Sequence, residues 1–211
     1  MNTQEHRKKS EITKSRLMDA TVELIAEEGL ENFRTKHLAQ RTGMAEGNIY
    51  NYFTGKDELI SSCFESIDRE LDQRLMSSVE SMNEMKTDLV GSLEKLWRAY
   101  FGYFIEHPQY TLFYHEFRYS KRYQSYLKRI RRAYNGNFLK YINVAVEELN
   151  LRNESVVSVV WMHIVDSTLD FVSRLVKGDV ENTPETREWG FRLIFDGIYG
   201  VIRDAGIEVN R

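Results

Sequence analysis

The sequence predicts an all-α fold, and three observations carry that prediction. Among 211 residues there are only two prolines, Pro108 and Pro184, so little interrupts a helix. Apolar residues recur at three-to-four spacing along much of the length, the period of an amphipathic helix. No segment shows the two-residue alternation of a half-buried strand, and no internal repeat is evident.

The first elements are short. Behind a basic arm (Arg7, Lys8, Lys9, Lys14, Arg16), Leu17, Ala20, Leu24 and Ile25 mark the apolar side of a helix that Gly29 ends. Thr35 is the expected N-cap of a second helix that turns Leu38 and Ala39 inward, and Gly43 supplies the turn after Arg41 and Thr42. A third helix is expected over 46–53. Ile49 and Phe53, four residues apart, point into its core, which leaves Glu46, Gly47, Asn48, Tyr50 and Asn51 facing outward. Thr54-Gly55-Lys56-Asp57 resembles a capping box, with Asp57 in the usual place of Glu, and opens a longer helix through Leu59, Ile60, Cys63, Ile67 and Leu71.

The later elements are longer. Residues 77–88 read as a frayed connection, followed by an aromatic-rich helix from about Leu89 to His107-Pro108 and a short helix over 110–119. Further helices are expected over 121–149, 153–176 and 184–204, the last with Thr183 as N-cap and Pro184 in the first helical position. The total is about nine helices. Residues 1–56 form a small N-terminal module with its basic arm, and residues 57–211 a larger helical domain.

Charge and cysteine usage narrow the function. A net charge of -3 means that any nucleic-acid contact comes from a local patch rather than from bulk charge. The single cysteine, Cys63, can form no internal disulfide and has no metal-ligand spacing, so a reducing, cytoplasmic setting is expected. The first nine residues lack the apolar centre of a signal peptide, and the apolar stretch 156–176 is broken by Asp166, Asp170 and Arg174, so no membrane span is expected.

A helix, a glycine-containing turn and a short helix with a polar outer side form the layout of a DNA-reading helix-turn-helix. The same layout also serves as a plain packing motif. The arm, with Lys36, Arg41 and Lys56, adds the positive charge that favours DNA.

The run Thr35-Lys36-His37-Leu38-Ala39-Gln40-Arg41-Thr42-Gly43-Met44-Ala45-Glu46-Gly47-Asn48-Ile49-Tyr50-Asn51-Tyr52-Phe53, followed by Gly55-Lys56-Asp57-Glu58-Leu59, resembles the tetracycline-repressor (TetR) family. The likeness reaches back to Ala20, Leu24, Gly29 and Phe33, and so covers roughly the first 60 residues. It implies an N-terminal DNA-binding domain, a C-terminal domain for ligand binding and dimerisation, and repression as the family's habit. It also implies a recognition helix around residues 46–52, with Tyr50 and Tyr52 near phosphates or base methyls. Lys56 would then hold a phosphate at a helix N-terminus, and Thr35 a second one through its hydroxyl and backbone amide. Asn48 and Asn51 are the candidates for reading base edges. Two positions depart from the family pattern: Ala45 stands where a hydroxyl residue is common, and Glu46 is acidic at a DNA-facing end. Glu46 either accepts from a cytosine amino group or sits on the positive end of the helix dipole.

In the C-terminal domain Trp97, Tyr100, Phe101, Phe104, Phe113, Phe117, Tyr134, Phe138, Trp161 and Phe171 form an aromatic stripe that serves as ordinary core or lines a pocket. The pocket reading takes Trp97, Phe101, Phe104, Phe113, Phe117, Tyr134, Phe138, Trp161 and His163 as walls for a small hydrophobic or aromatic effector, with His115, His163 or Asp166 orienting it. A basic run (Arg118, Lys121, Arg122, Lys128, Arg129, Arg131, Arg132) is a solvated helix face or attracts an anionic ligand or DNA phosphates. The last two helices carry apolar sides, Val157, Val160, Ile164, then Trp189, Leu193, Ile194, Ile198 and Val201, and Gly197 and Gly200 permit close approach. A homodimer through a four-helix interface is therefore expected.

The expected partners are thus a double-stranded DNA operator, a second copy of the chain and a small-molecule effector, with no cofactor and no metal. No Gly-x-Ser-x-Gly, phosphate-loop or His-Glu-x-x-His pattern points to an enzyme. His115-Glu116 and His163 with Asp166 could in principle bind a metal, but two or three scattered ligands are a weak signal, and a metal-dependent enzyme is the least favoured reading. A helical protein-interaction adaptor without DNA binding is the competing reading.

Overall fold

A computed structural model describes residues 3–78, 87–130 and 154–204. Their regular elements are all helices, with no strand among the described residues: α1 (Thr3–Glu28), α2 (Thr35–Thr42), α3 (Glu46–Ile49), α4 (Lys56–Ser78), α5 (Leu89–Glu106), α6 (Pro108–Arg118), α7 (Lys121–Ile130), α8 (Glu154–Lys177) and α9 (Pro184–Asp204). The all-α expectation holds. The described part of the expected 121–149 helix is α7.

Several helix ends correct the sequence reading. The basic arm is no loose tail, because α1 begins at Thr3, helped by the i,i+4 pairs Lys9–Glu5 and Arg7–Glu11 at 3.1 and 3.4 Å. The N-cap of α2 is Arg34, which makes no side-chain cap, and Thr35 is the first helical residue. At α4 it is Glu58, not Asp57, whose carboxylate reaches back to the Thr54 backbone N–H. Thr183 caps α9 as expected, accepting from the Thr186 N–H at 3.1 Å.

The chain divides into two compact units. One comprises residues 1–68 and 112–133, the other residues 69–111 and 134–211. In the first, α2 packs on α1 and α3 on α2. Its core includes Leu17, Leu24, Ile25, Phe33, Leu38, Ile49, Phe53, Leu59 and Ile60, all almost fully buried. Fully burying such a side chain is worth roughly 2 kcal/mol. Cys63 belongs to the same core, and burial pushes its thiol pKa up, so it is a packing residue and not a nucleophile. Phe64 joins an aromatic cluster, stacked on Tyr114 at 4.5 Å and edge-on to Tyr126 at 5.2 Å. The Tyr114 hydroxyl donates to Asp68 at 2.9 Å, which satisfies the polar end of a buried ring.

In the second unit α8 packs against both α5 and α9. Trp97 anchors it. The indole N–H donates to the Thr168 hydroxyl at 2.8 Å, the ring stacks on Phe101 at 4.9 Å, and Phe191 and Phe195 lie against it at 4.9 and 6.2 Å. Where α8 meets α9 the helices come so close that a Cβ on Gly190 would lie 2.2 Å from Phe171 Cε1. Only a glycine fits there unless the Phe171 ring gives way.

Candidate nucleic-acid interface

The recognition geometry begins at Gly43. Its φ of 67° is left-handed, and its backbone N–H and that of Met44 turn back onto the last carbonyls of α2, Met44 to Ala39 at 3.1 Å. The reversal is sharp enough for α3 to start three residues later. Ile49 and Phe53 are buried, whereas Glu46, Gly47, Asn48, Tyr50 and Asn51 are exposed, so the polar side of the segment faces away from the core. The regular helix ends at Ile49, earlier than the expected 46–53. Residues 50–52 continue as turns, with Tyr52 and Phe53 N–H both donating to the Ile49 carbonyl at 3.0 and 3.2 Å.

Around that segment the sequence-predicted residues divide. Lys36 is exposed, Tyr52 half-buried, and nothing lies within 4 Å of a Cβ built on Gly47, so the outer face is open. Thr35 and Glu46 are brought together: the Thr35 hydroxyl donates to the Glu46 carboxylate. Glu46 is therefore engaged by a side chain that a phosphate would compete for. Lys56 is half-buried, its ammonium donating to the Phe33 carbonyl and lying 5.2 Å above the Phe33 ring. Burial holds its pKa below the usual lysine range, helped by the positive charges of Arg122 and Arg34 and opposed by Glu31 and Asp57. Arg41 is exposed but turned toward α1, donating to Glu27 at 3.0 Å and Glu23 at 3.4 Å, so it braces the α1–α2 crossing.

Two residues were not singled out from the sequence. Arg34 lies exposed at the start of α2 and donates to the Glu31 and Phe33 carbonyls at 2.6 and 3.0 Å. Lys14, read only as one charge of the arm, sits 4.9 Å over the Phe53 ring, beside the end of the recognition segment. Their lone sequence signal is positive charge near the motif; their placement depends on contacts made across the fold.

The residues read as effector walls are dispersed. Trp97, Phe101 and Phe104 are buried in the unit that holds α5, α8 and α9, while Phe113 and Phe117 are buried in the unit that holds the helix-turn-helix. Trp161 is half-buried, and His163 is exposed, with its ring nitrogens near the Ile194 carbonyl at 3.2 Å and the Ser167 hydroxyl at 3.3 Å. Tyr134 and Phe138, like Arg131 and Arg132, lie outside the described residues, as do the side chains of Val157, Lys128 and Arg129. Of the residues read as a dimer surface, Ile164, Ile194 and Ile198 are buried within their own unit, Val160 and Gly200 are half-buried, and Trp189, Leu193, Gly197 and Val201 are exposed. The exposed set gains Val159 and Met162 on α8. Among the described residues no three His, Cys, Asp or Glu side chains converge on a metal-sized site, and no helix is long and apolar enough to cross a membrane.

Helix, left-handed turn and short helix with an open polar face form a helix-turn-helix, the layout of a DNA-reading module. Comparison with known proteins agrees. Residues 17–63 match the family described as bacterial regulatory proteins, tetR family. The fatty acid metabolism regulator protein of Bacillus subtilis is 31% identical over 80 residues, and the nucleoid occlusion factor SlmA of Mannheimia succiniciproducens 26% over 88; these segments are 38% and 42% of this chain. The matches span only 38% and 39% of those relatives' lengths. The fold extends further. A tetR-family regulator structure from Shewanella sp. PV-4 superposes with a TM-score of 0.65 at 18% identity, over 87% of this chain and 96% of that one. The fatty acid degradation regulator FadR of Bacillus halodurans superposes with a TM-score of 0.61 at 20% identity, over 86% and 94%. Residues 17–63 therefore carry the segment that defines the tetR family, and the chain shares the fold of the tetR-family regulator structures.

The turn carries a testable consequence. Replacing Gly43 by Val forces a β-branched side chain into the left-handed region, at a cost of about 1–2 kcal/mol, whereas Asn tolerates it better. Gly43→Val is expected to lower the melting temperature more than Gly43→Asn does; equal melting by circular dichroism would refute the role assigned to the turn.

Proposed function

We propose that this chain is a transcriptional repressor that binds a near-palindromic DNA operator as a homodimer and leaves it when a small hydrophobic molecule binds the C-terminal domain. The observation that carries the reading is the open polar face of residues 46–51, held outward by the buried Ile49 and Phe53. Asn48 and Asn51 reach base edges, Tyr50 and Tyr52 meet phosphates or thymine methyls, and Lys36, Lys56, Thr35 and the first turn of α4 hold phosphates. Binding breaks the Thr35–Glu46 hydrogen bond, freeing the Thr35 hydroxyl for phosphate. The basic helical extension of α1 adds charge that raises affinity without sequence preference. The site is one of binding rather than of catalysis, and it acts in the cytoplasm, where the DNA is. A selection from random duplexes is expected to enrich a two-fold related sequence, with binding that weakens steeply with salt and in Tyr50→Ala. Failure to enrich any duplex would favour the competing reading of a protein-interaction adaptor.

The partner copy sits on α8 and α9. Trp189, Leu193, Gly197 and Val201 follow one another at four-residue spacing on α9, and Trp189 and Leu193 are 66% and 80% exposed, an unusual fate for large apolar side chains. Val159 and Met162 extend the surface on α8. Two subunits packing these helices together give a four-helix interface that spaces two recognition segments along the duplex. Leu193→Glu is expected to shift the chain from dimer to monomer in sedimentation and to weaken operator binding; an unchanged dimer would refute this face.

The effector is proposed as hydrophobic because the α5–α8–α9 unit is built on Trp97, Phe101, Phe171, Phe191 and Phe195. The likeness to a fatty acid metabolism regulator makes fatty acids of graded chain length the first compounds to titrate. A member of that series, or of a wider aromatic and aliphatic panel, is expected to release the selected duplex in fluorescence anisotropy. A panel that neither binds nor releases would overturn the effector reading.

A further inference from the structure

Arg122, on α7, lies far along the chain from the helix-turn-helix and yet grips its edge. Nε donates to Asp57 Oδ1 at 3.0 Å and Nη1 to Glu31 Oε1 at 3.4 Å. Asp57 follows Lys56 in the first turn of α4, and Glu31 lies in the α1–α2 connection, three residues before Arg34. Both carboxylate side chains are more than four-fifths exposed, whereas that of Arg122 is 31% exposed. The arginine is the fixed member, and the two acids are drawn to it.

The fixed position has a cause. On α7 the next residue, Tyr123, and the buried Tyr126 both lie against the Phe64 ring, at 5.6 and 5.2 Å. A second tie holds the same connection from α6: Glu116 accepts from the Leu30 N–H at 3.3 Å. Glu31 is thereby flanked by two contacts that originate in residues 112–130.

The charges matter because of what stands beside them. Lys56 and the first turn of α4 hold a phosphate under the proposed function, and the positive charge of the exposed Arg34 is felt at Lys56. Two unneutralised carboxylates next to them repel that phosphate. We propose that Arg122 is a positioning residue for DNA binding, which masks the Asp57 and Glu31 carboxylates at the edge of the Lys56–Arg34 phosphate site. A displacement of α7 that withdraws Arg122 returns both negative charges to the path of the phosphate. The inference rests on the DNA-binding reading above.

The test is a mutant cycle on the full chain with a duplex selected by the wild type. Arg122→Gln is expected to weaken binding roughly fivefold at low salt, less as salt rises, from two exposed like charges acting through water. In an E31Q/D57N background the same substitution is expected to change affinity less than twofold. Arg122→Met, which keeps the apolar stem, should give the same pattern. An equal loss in both backgrounds would mean that Arg122 contacts DNA directly and would overturn the inference, as would no loss in the wild-type background. Failure of the wild type to bind any duplex is a separate result, seen before any substitution, and removes the DNA-binding reading together with this one.

Discussion

A four-residue helix cannot sustain itself in water, because fixing its backbone costs more than its one or two internal hydrogen bonds return. α3 is such a helix, and α2, at eight residues, is little better off. Both exist because Phe33, Leu38, Ile49 and Phe53 are buried to within a few per cent in one small core that α1 and the start of α4 complete. That burial does more than stabilise. It fixes the rotation of the recognition segment about its own axis, so that the same residues that cannot be solvated decide which others must be. The polar face of 46–51 is the complement of the core, and the proposed DNA binding descends from it.

The core is also wider than the motif. Residues 112–133 belong to the same compact unit as the helix-turn-helix, through the Phe64–Tyr114–Phe117–Tyr126 cluster and through polar ties from Glu116 and Arg122. Aromatic packing of this kind is close to rigid, since interiors have little free volume to deform into. The ion pairs at its edge are individually weak, being exposed. Packing thus sets the position of the segment, and the ion pairs set the electrostatic character of the surface beside the recognition helix.

Much of this was legible in the sequence, and the misses share a physical origin. The short helices, the glycine turn, the inward Ile49 and Phe53 and the Thr183 cap all follow from local rules acting within one turn. The Thr35 cap, the Asp57 capping box and the placing of the basic arm ahead of the first helix failed where two local solutions competed: Glu58 offered the Thr54 N–H a partner one residue further on, Thr35 turned to Glu46, and the acidic residues Glu5 and Glu11 let α1 extend through the basic arm. The aromatic stripe could not be apportioned from spacing, because helical periodicity says which residues share a face and not which faces meet. Trp97 and Phe101 went to one compact unit, Phe113 and Phe117 to the other.

The sequence by itself determined the helical class, the helix-turn-helix and the residues that present a polar face at 46–51, since each of these is written in periodicity, turn chemistry and short-range spacing. Only the tertiary structure decided that Arg41 braces α1, that Lys56 is half-buried on Phe33, that Ile164, Ile194 and Ile198 are core while Val159, Met162 and Leu193 are surface, and that Arg122 covers Glu31 and Asp57. These are pairings between residues up to 91 positions apart. Local propensity carries no information about them, because they are fixed by which buried faces the chain brings together.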